Sequence, residues 1–334
     1  MELRTRSFFC APPSSPARDA DAPRTMKKDK TKGPKPFLKW VGGKTQLLPE
    51  LIARLPTDFA ERIRVYSEPF VGGGALLWRI LSCPNRLERV VINDLNPDLA
   101  NAYCVIQSRV DELIASLQDF QRDYLALSAE EGRKEFFLSI RTADNQSAGK
   151  PTTDPVRRAA QMLFLNRTCF NGLYRVNAKG EFNVPFGRYA HPQICDEETL
   201  RADSAALVGV EIHNGDFATA VSEANTDWFV YFDPPYRPLS LTSSFCDYTQ
   251  GGFDDNEQRR LATLCRELDQ KGVKWLLSNS DPKGKNPNDT FFDDLYAGFN
   301  IQGVQAARML NANPDKRGKL GELLISNYTN GEWR

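Results

Sequence analysis

The chain has 334 residues, enough to bury a sizeable core, and 41% of them are hydrophobic. Its 43 basic and 43 acidic residues cancel, so any strongly charged partner must be bound by a local patch. The seven cysteines contain no C-x-x-C pair, and neither of the two histidines lies in a metal-ligand pattern. These features argue against a disulfide framework and a zinc site, and no apolar run is long enough to span a bilayer.

Residues 1–34 are rich in Pro, Ser, Ala and Lys, a composition that predicts a disordered tail. This segment lacks the apolar stretch of a signal peptide, and Met26 is an alternative start. Order is expected from Phe37. There "FLKWVGGKT" resembles the end of a P-loop, but position 38 is Leu where that motif needs its first Gly, and no strand precedes it. This excludes an NTPase.

The first α/β unit follows. "RVYSEPFVGGG" predicts a strand with a Gly-rich turn, "ALLWRIL" a helix, and "RVVINDLN" a second strand followed by a helix from Pro97. Glycines after a strand let a nucleotide-like ligand approach, and Asp94 ends the next strand, where an acidic side chain takes ribose hydroxyls. Because the spacing is not G-x-G-x-x-G, adenosine without a pyrophosphate fits better, as in S-adenosylmethionine. Trp40 and Lys44 would then cover its methionine end. A tight turn with a capping Asp is the alternative.

Residues 109–148 have helical character. In residues 166–190, Asn, Gly, Arg and aromatic residues interleave, and "NAKGEF" predicts a hairpin turn. Between positions 150 and 189 there are seven basic and two acidic residues, which predicts the positive patch that a nucleic acid would need.

The α/β pattern then resumes. Strands are predicted at "VGVEIHNGDF", "DWFVYFDPPY", "VKWLLSNS", "FNIQGVQAARML" and "GELLISNY", with helices at 254–271, capped by Asp254, and at 289–297. The fold class is therefore α/β, one doubly wound sheet with an inserted helical and hairpin module. We divide the chain into the tail 1–34, a catalytic domain of 35–108 and 191–334, and an inserted target-recognition module, 109–190.

The sharpest motif is Asp233-Pro234-Pro235-Tyr236, at the end of an apolar strand. The prolines fix the backbone and remove two N–H donors, so nearby carbonyls can face a ligand. A planar base bearing an amino group fits between the Asp233 carboxylate and the Tyr236 ring. Hydrogen bonds from its NH2 group would localise the nitrogen lone pair for attack on an electrophilic methyl group. An ordinary Pro-rich turn is the alternative.

With these motifs in place, the chain resembles the DNA adenine methylase (Dam) family in its alpha arrangement. "FLKWVGGKTQLLPEL", "EPFVGGGALL", "NDLNPDL", "NRTCFNGLYRVNAKGEFNVPFGRY", "DPPYRPLS" and "SNS" follow the family order from Phe37 to Tyr328. The resemblance implies a Rossmann-like methyltransferase that uses S-adenosylmethionine and no metal to methylate adenine N6 in duplex DNA. It places the catalytic function at Asp233, Pro234, Pro235 and Tyr236, and the cofactor at Trp40, Gly43, Lys44, Glu68, Phe70, Gly72, Asp94, Asp216, Phe217 and Asp233.

The recognition module is expected to hold DNA while the target adenine is flipped out of the duplex. The resemblance makes Phe170 and Asn171 the wedge into the helix and makes Leu173 and Arg175 base readers. Since Arg pairs with phosphates or with guanine O6 and N7, Arg167 and Arg188 are further DNA candidates. The same resemblance gives GATC as the expected recognition site.

Three alternatives remain open. N4-cytosine methylation needs the same chemistry, but such enzymes typically carry Ser in place of Asp233. Methylation of a protein glutamine would call for Asn there and leave the basic insert unexplained. A catalytically silent DNA-binding module would retain binding without methyl transfer. We further expect a monomer on DNA in a prokaryotic or phage-infected cytoplasm, with a cognate restriction endonuclease as a candidate partner.

Overall fold

The computed structural model describes residues 33–83, 86–150, 152–238, 253–306 and 320–329. The strands in this part of the chain are β1 Val65–Glu68, β2 Arg89–Asp94, β3 Val210–Asn214, β4 Trp228–Phe232, β5 Lys274–Ser280, β6 Asn300–Ala306 and β7 Leu320–Ser326. The helices are α1 Leu48–Ile52, α2 Phe59–Arg62, α3 Ala75–Leu81, α4 Pro97–Ser108, α5 Val110–Leu125, α6 Glu130–Gln146, α7 Pro155–Thr168, α8 Glu197–Ala206, α9 Asp255–Gln270 and α10 Phe291–Leu295.

The strands form one seven-stranded sheet in the order β3-β2-β1-β4-β5-β7-β6. Strands β1 to β5 run parallel, and β7 pairs antiparallel with both β5 and β6. The chain leaves β1 toward β2 on one side, while β4 lies on the other side. This reversal marks the crevice, at the carboxyl ends of the strands, where open α/β sheets bind ligands. The predicted α/β fold is confirmed.

Both faces of the sheet are covered, which explains the nearly continuous apolar sequence of its central strand, β4. Phe229 and Tyr231 point to one hydrophobic cluster, shared with α3, α4 and α8. Val230 and Phe232 alternate with them and point to the other cluster, shared with α9 and α10. The predicted N-cap of α9 is also present, since the Asp254 side chain accepts hydrogen bonds from the backbone N–H groups of residues 256 and 257.

The predicted recognition module, residues 109–190, continues the hydrophobic core of one sheet face. Helices α5, α6 and α7 contribute to the same cluster as β1, α3 and α4. Helix α7 was not predicted, because it is buried on nearly all sides and shows no simple polar face.

The hairpin prediction is only partly confirmed. Residues 177–180 form a turn closed by Gly180 N–H donating to Asn177 O, but only single residue pairs, Val176 with Phe182 and Cys169 with Phe186, bridge its arms.

Most of the predicted tail and the end of the predicted strand "FNIQGVQAARML" lie outside the described residues, as do residues 239–252 after the DPPY motif. Within the part of the chain that the structure describes, no helix combines the length and apolar character needed to cross a membrane.

Candidate active site

Asp233 follows β4 directly and is held from two sides. Its Oδ1 atom lies 2.9 Å from the Lys44 ammonium and accepts a 2.7 Å hydrogen bond from the Ser278 hydroxyl. Ser278 belongs to β5, next to β4, and its hydroxyl also lies 3.0 Å from the Tyr231 hydroxyl. Among the described residues, no hydrogen bond or ion pair engages the second oxygen, Oδ2. The carboxylate is thus oriented through one oxygen and keeps the other available as an acceptor.

The prolines and Tyr236 are fixed by neighbouring elements. The Gln258 side chain of α9 donates to Pro235 O at 3.1 Å, and the Tyr236 hydroxyl donates to Glu322 of β7 at 2.7 Å. Burial, followed by the charges of Asp233 and Glu322, raises the pKa of Tyr236 well above its usual value. Tyr236 is therefore a neutral aromatic face at physiological pH.

Arg237 follows the motif directly and is held through both its backbone and its side chain. Its N–H donates to the Asn279 side chain at 3.1 Å, and its carbonyl accepts from the Ser280 hydroxyl at 2.8 Å. The Arg237 guanidinium pairs with Asp255 at 2.8 Å and Asp289 at 2.9 Å. The end of β5 thus supports both the start and the end of the DPPY motif.

Lys44 lies inside the site. It is only 6% exposed, its ammonium donates to Gly42 O at 2.5 Å, and it lies 4.3 Å from the centre of the Tyr236 ring. Together with the ion pair to Asp233, these contacts bring Lys44 into the DPPY corner. The sequence interpretation placed Lys44 at the methionine end of the cofactor, and that role stays a prediction.

The Gly-rich turn packs against Trp40. Gly72 and Gly74 have φ angles of 49° and 67°, a region that side chains rarely adopt. A Cβ atom on Gly72 would lie 2.9 Å from Trp40 Cδ1, and one on Gly74 would lie 2.7 Å from the Tyr103 hydroxyl. Gly43 closes the neighbouring loop by donating to Trp40 O at 3.2 Å. Trp40, Gly43 and Gly72 are thus brought together as the sequence predicts.

Asp94 supports the same turn from the end of β2. Its carboxylate accepts hydrogen bonds from Gly72 N–H at 3.0 Å and Asn96 N–H at 2.9 Å. Burial raises the pKa of Asp94 to about 6, against the lowering effect of these backbone hydrogen bonds. The neighbouring Asn93 side chain donates to Pro69 O and Gly215 O, which fixes the loops after β1 and β3 relative to each other.

Glu68 is the last residue of β1 and precedes the Gly-rich segment. Its side chain is buried, only 2% of the residue is exposed, and it accepts a 2.5 Å hydrogen bond from the Tyr66 hydroxyl. Burial raises the pKa of Glu68 to about 8, with a smaller contribution from the negative charge of Asp233 and a lowering by the Tyr66 hydrogen bond. Because so little of Glu68 is exposed, its contact with a cofactor stays a prediction that its burial does not support.

The remaining predicted cofactor residues form an aromatic corner. The Phe70 and Phe217 rings lie 5.0 Å apart, and Phe253 packs on both. Asp216 is bound by Arg260 of α9 at 2.6 Å, and the Arg260 guanidinium lies 4.0 Å from the centre of the Phe217 ring. The hydrogen bond from Arg260 lowers the pKa of Asp216. The ion pair between Asp216 and Arg260 therefore attaches this aromatic corner to α9.

The predicted DNA residues are concentrated just after α7. Phe170 is 53% exposed, and Asn171 beside it has a φ angle of 57°, which turns the chain sharply. Arg175 is exposed and donates to the Asn183 side chain at 2.7 Å, while Leu173 is half-buried. Arg188 is exposed, has a φ angle of 59°, and lies 3.6 Å from Glu130.

Two basic residues are placed away from that surface. Arg167 is half-buried and donates to Phe37 O at 2.8 Å, and burial lowers its pKa. Arg158 is 6% exposed and pairs with Asp98 at 2.7 Å and Asp144 at 2.9 Å. Counting Arg158 in a surface patch was therefore wrong. A DNA contact by Arg167 stays a prediction that its position does not support.

Sequence reasoning overlooked the residues that hold the site in place. Ser278 binds Asp233, Glu322 binds Tyr236, and Gln258 binds the DPPY backbone. Only Ser278 carried a signal, because it lies in the "SNS" segment at the end of the strand next to β4.

Comparison with known proteins agrees with this geometry. The profile of the family described as D12 class N6 adenine-specific DNA methyltransferase matches residues 40–310. The chain is similar to the Type II methyltransferase M.MjaIII of Methanocaldococcus jannaschii, with 49% identity over 88% of this chain and 99% of the relative. It is 40% identical to the Type II methyltransferase M1.LlaDCHI of Lactococcus lactis subsp. cremoris, over 89% of this chain and 96% of the relative. It is 31% identical to the DNA adenine methylase of Escherichia coli, over 86% of this chain and 93% of the relative. The chain therefore belongs to the D12 class of N6 adenine-specific DNA methyltransferases and is an enzyme that methylates adenine in DNA.

Proposed function

We propose that this enzyme transfers a methyl group from S-adenosylmethionine to N6 of an adenine flipped out of duplex DNA, and that its recognition site is GATC. The observation that carries the catalytic part is the orientation of Asp233. Lys44 and Ser278 both engage Oδ1, and among the described residues Oδ2 has no partner.

Asp233 Oδ2 is the acceptor for one N6–H of the target base. The Lys44 charge compensates the carboxylate without occupying this oxygen. A backbone carbonyl of the Pro-rich segment accepts the second N–H, since two consecutive prolines offer no competing donor. Tyr236, neutral and fixed by Glu322, supplies a face for the base. Together these contacts localise the nitrogen lone pair.

The residues around the Gly-rich turn fit S-adenosylmethionine. Asp94 ends β2 with a carboxylate that keeps acceptor capacity beyond its two backbone hydrogen bonds, which suits ribose hydroxyls. Trp40 and the Gly72 backbone would hold the cofactor beside the DPPY corner, and the aromatic corner of Phe70 and Phe217 suits the adenine ring. When bound, S-adenosylmethionine supplies an electrophilic methyl group on sulfur.

DNA is held by the segment after α7. Exposed Phe170 enters the duplex beside Asn171, which offsets part of the unstacking cost of a few kcal/mol. Leu173 and Arg175 read bases, and Arg188 contacts phosphate or guanine. The GATC assignment rests on the resemblance of "NRTCFNGLYR" to Dam-like enzymes. The predicted division into a catalytic domain and a recognition module, 109–190, remains part of this proposal.

The reaction requires one subunit for each base, so we propose a monomer. Two relatives are named Type II methyltransferases. By this analogy we propose that a restriction endonuclease of the same specificity accompanies the enzyme, in a prokaryotic or phage-infected cytoplasm.

Methyl transfer from labelled S-adenosylmethionine to a duplex with one GATC site tests the proposal, followed by nucleoside analysis of the product. We expect label in N6-methyladenine, and none when the GATC adenine is replaced. Label in N6-methyladenine on other sequences would reject GATC alone. Label in N4-methylcytosine would contradict the role of Asp233, and DNA binding without any transfer would favour a silent binding module.

A further inference from the structure

Two aromatic rings connect the cofactor loop with the DNA-recognition segment. Trp40 and Tyr174 are stacked, with ring centres 5.1 Å apart and an angle of 23° between their planes. Tyr174 lies between Leu173 and Arg175, the proposed base readers, but it is itself only 7% exposed. Its ring is therefore turned away from the DNA surface and toward the catalytic domain.

Trp40 is in direct contact with the Gly-rich turn. Cβ atoms built on Gly72 and Gly73 would lie 2.9 Å and 3.2 Å from atoms of the Trp40 side chain. Any ligand that orders this turn therefore also orders Trp40, because the interior of a protein is packed without free space.

Tyr174 is anchored at its other end by a buried charged centre. Its hydroxyl lies 3.4 Å from Asp98 Oδ2, and Asp98 pairs with Arg158, which also pairs with Asp144. Asp98 lies in the first turn of α4, and Tyr103 of the same helix donates to Gly72 O at 3.0 Å. Tyr174 thus contacts both α4 and Trp40, each of which contacts the cofactor turn.

The residue before Trp40 is joined to the same segment. The Asn166 side chain accepts from Lys39 N–H at 2.9 Å and donates to Lys39 O at 2.8 Å and Gly172 O at 2.9 Å. Residues 39–40 are consequently packed between the cofactor turn and the backbone that carries the base readers. The Trp40–Tyr174 stack is the side-chain contact across this junction.

We propose that Tyr174 is a positioning residue that couples cofactor binding to DNA recognition through its stack on Trp40. This inference rests on the proposed cofactor and DNA sites. A ligand that orders residues 39–40 from either side reduces the ordering that the other ligand must impose, so each raises the affinity for the other by the same factor. The ring transmits this effect, and the hydroxyl only anchors it.

The coupling factor is measurable without turnover. The dissociation constant of a fluorescent duplex containing one GATC site is measured with and without saturating S-adenosylhomocysteine, by anisotropy. For the wild type we expect at least about 5-fold tighter DNA binding with S-adenosylhomocysteine, at the lower end of typical coupling. Tyr174→Phe keeps the ring and should keep this factor. Tyr174→Leu should reduce it to near 1 while changing DNA affinity without S-adenosylhomocysteine much less.

Tyr189→Leu is the matched control, the same change at an exposed tyrosine of the same module, and should leave the factor unchanged. Thermal unfolding confirms that each variant is folded. The proposal is overturned if the wild type shows no coupling, or if Tyr174→Leu keeps the wild-type factor, as it would if it lost affinity equally with and without S-adenosylhomocysteine. Methyl transfer to the same duplex is assayed in parallel. The coupling factor is obtained from binding alone. A failure of methyl transfer would therefore count against the proposed function and not against the coupling.

Discussion

The catalytic corner and the recognition segment are supported by different kinds of contact. At the corner, Asp233 and Tyr236 follow a fully buried strand, and side chains from β5 and β7 bind their functional groups directly. In the recognition segment, exposed Phe170 begins the short 3-10 helix Phe170–Gly172, and exposed Arg175 lies in the irregular chain that follows it. Support there acts mainly on the backbone, because the Asn166 side chain donates to Gly172 O. Arg175 itself donates to the exposed Asn183 side chain.

This difference separates two tasks. An acceptor that must meet a reacting amine has to be held in one orientation before the substrate arrives, which hydrogen bonds within the sheet provide. Side chains that read a duplex must reach into a groove and need only a correctly placed backbone. Substitutions in the corner should therefore change turnover, whereas substitutions in the segment should change DNA affinity and discrimination.

The largest effect is expected for Asp233→Ala. Loss of the acceptor for the target amine should lower kcat by about 100-fold to 1,000-fold, which is typical for removal of a preorganised transition-state contact. DNA affinity should stay close to the wild-type value, because Asp233 is assigned to the chemistry and not to the phosphate contacts. Single-turnover methylation and duplex binding measure the two quantities. Substantial turnover by this variant would contradict the assignment of Asp233.

Arg175→Ala tests the other side of the comparison. If Arg175 reads a guanine, the variant should lose about 1–3 kcal/mol of discrimination against sites with that base pair changed. Its single-turnover rate on saturating cognate DNA should change little. The measurement compares kcat/KM on GATC and on singly substituted duplexes. An equal loss on all sequences would instead identify Arg175 as a phosphate contact.

A smaller effect is expected for Ser278→Ala. This variant removes one hydrogen bond to a charged carboxylate, a contact worth about 1.5–3 kcal/mol, and Lys44 continues to hold the same oxygen. We expect kcat to fall roughly 10-fold, corresponding to about 1.4 kcal/mol, with KM for DNA unchanged. Ser278→Thr should have a higher kcat than Ser278→Ala, since threonine keeps the hydroxyl. A raised KM for DNA with an unchanged kcat would show that Ser278 does not orient Asp233.

Local motifs in the sequence were sufficient to predict the α/β fold and to predict that the DPPY motif and Asp94 lie at strand ends. The DPPY motif, the Gly-rich turn and Asp94 each lie within a few residues of a strand end, and parallel strands bring their carboxyl ends together. The contacts among these motifs could not be predicted. Lys44 comes from a loop before the first strand, and nothing local shows that it meets Asp233 and not a ligand.

The burial of charged residues was the feature that the sequence predicted least well. Arg158 counted toward a positive patch, yet it neutralises Asp98 and Asp144 inside the molecule. The resemblance assigned Glu68 to the cofactor, which stays a prediction, but nothing in the motif indicated that the residue is only 2% exposed and that its side chain accepts from the Tyr66 hydroxyl. Charge in a sequence does not reveal whether a side chain faces solvent or a partner far along the chain, and only the packing decides this.

Glu68 provides the last prediction, which concerns stability and not turnover. Burial raises its pKa to about 8 in the folded protein, whereas an unfolded Glu titrates near pH 4.3. Between these values the folded state holds one proton more than the unfolded state. The contribution of Glu68 to the free energy of unfolding should therefore fall as the pH rises from about 5 to about 8.

Glu68→Gln, which is neutral and retains an acceptor for the Tyr66 hydroxyl, should remove this fall. Denaturant unfolding of both proteins across this range measures the difference. Parallel pH profiles would show that Glu68 is ionised in the folded protein, and the interpretation of Glu68 as a neutral carboxyl would then be wrong.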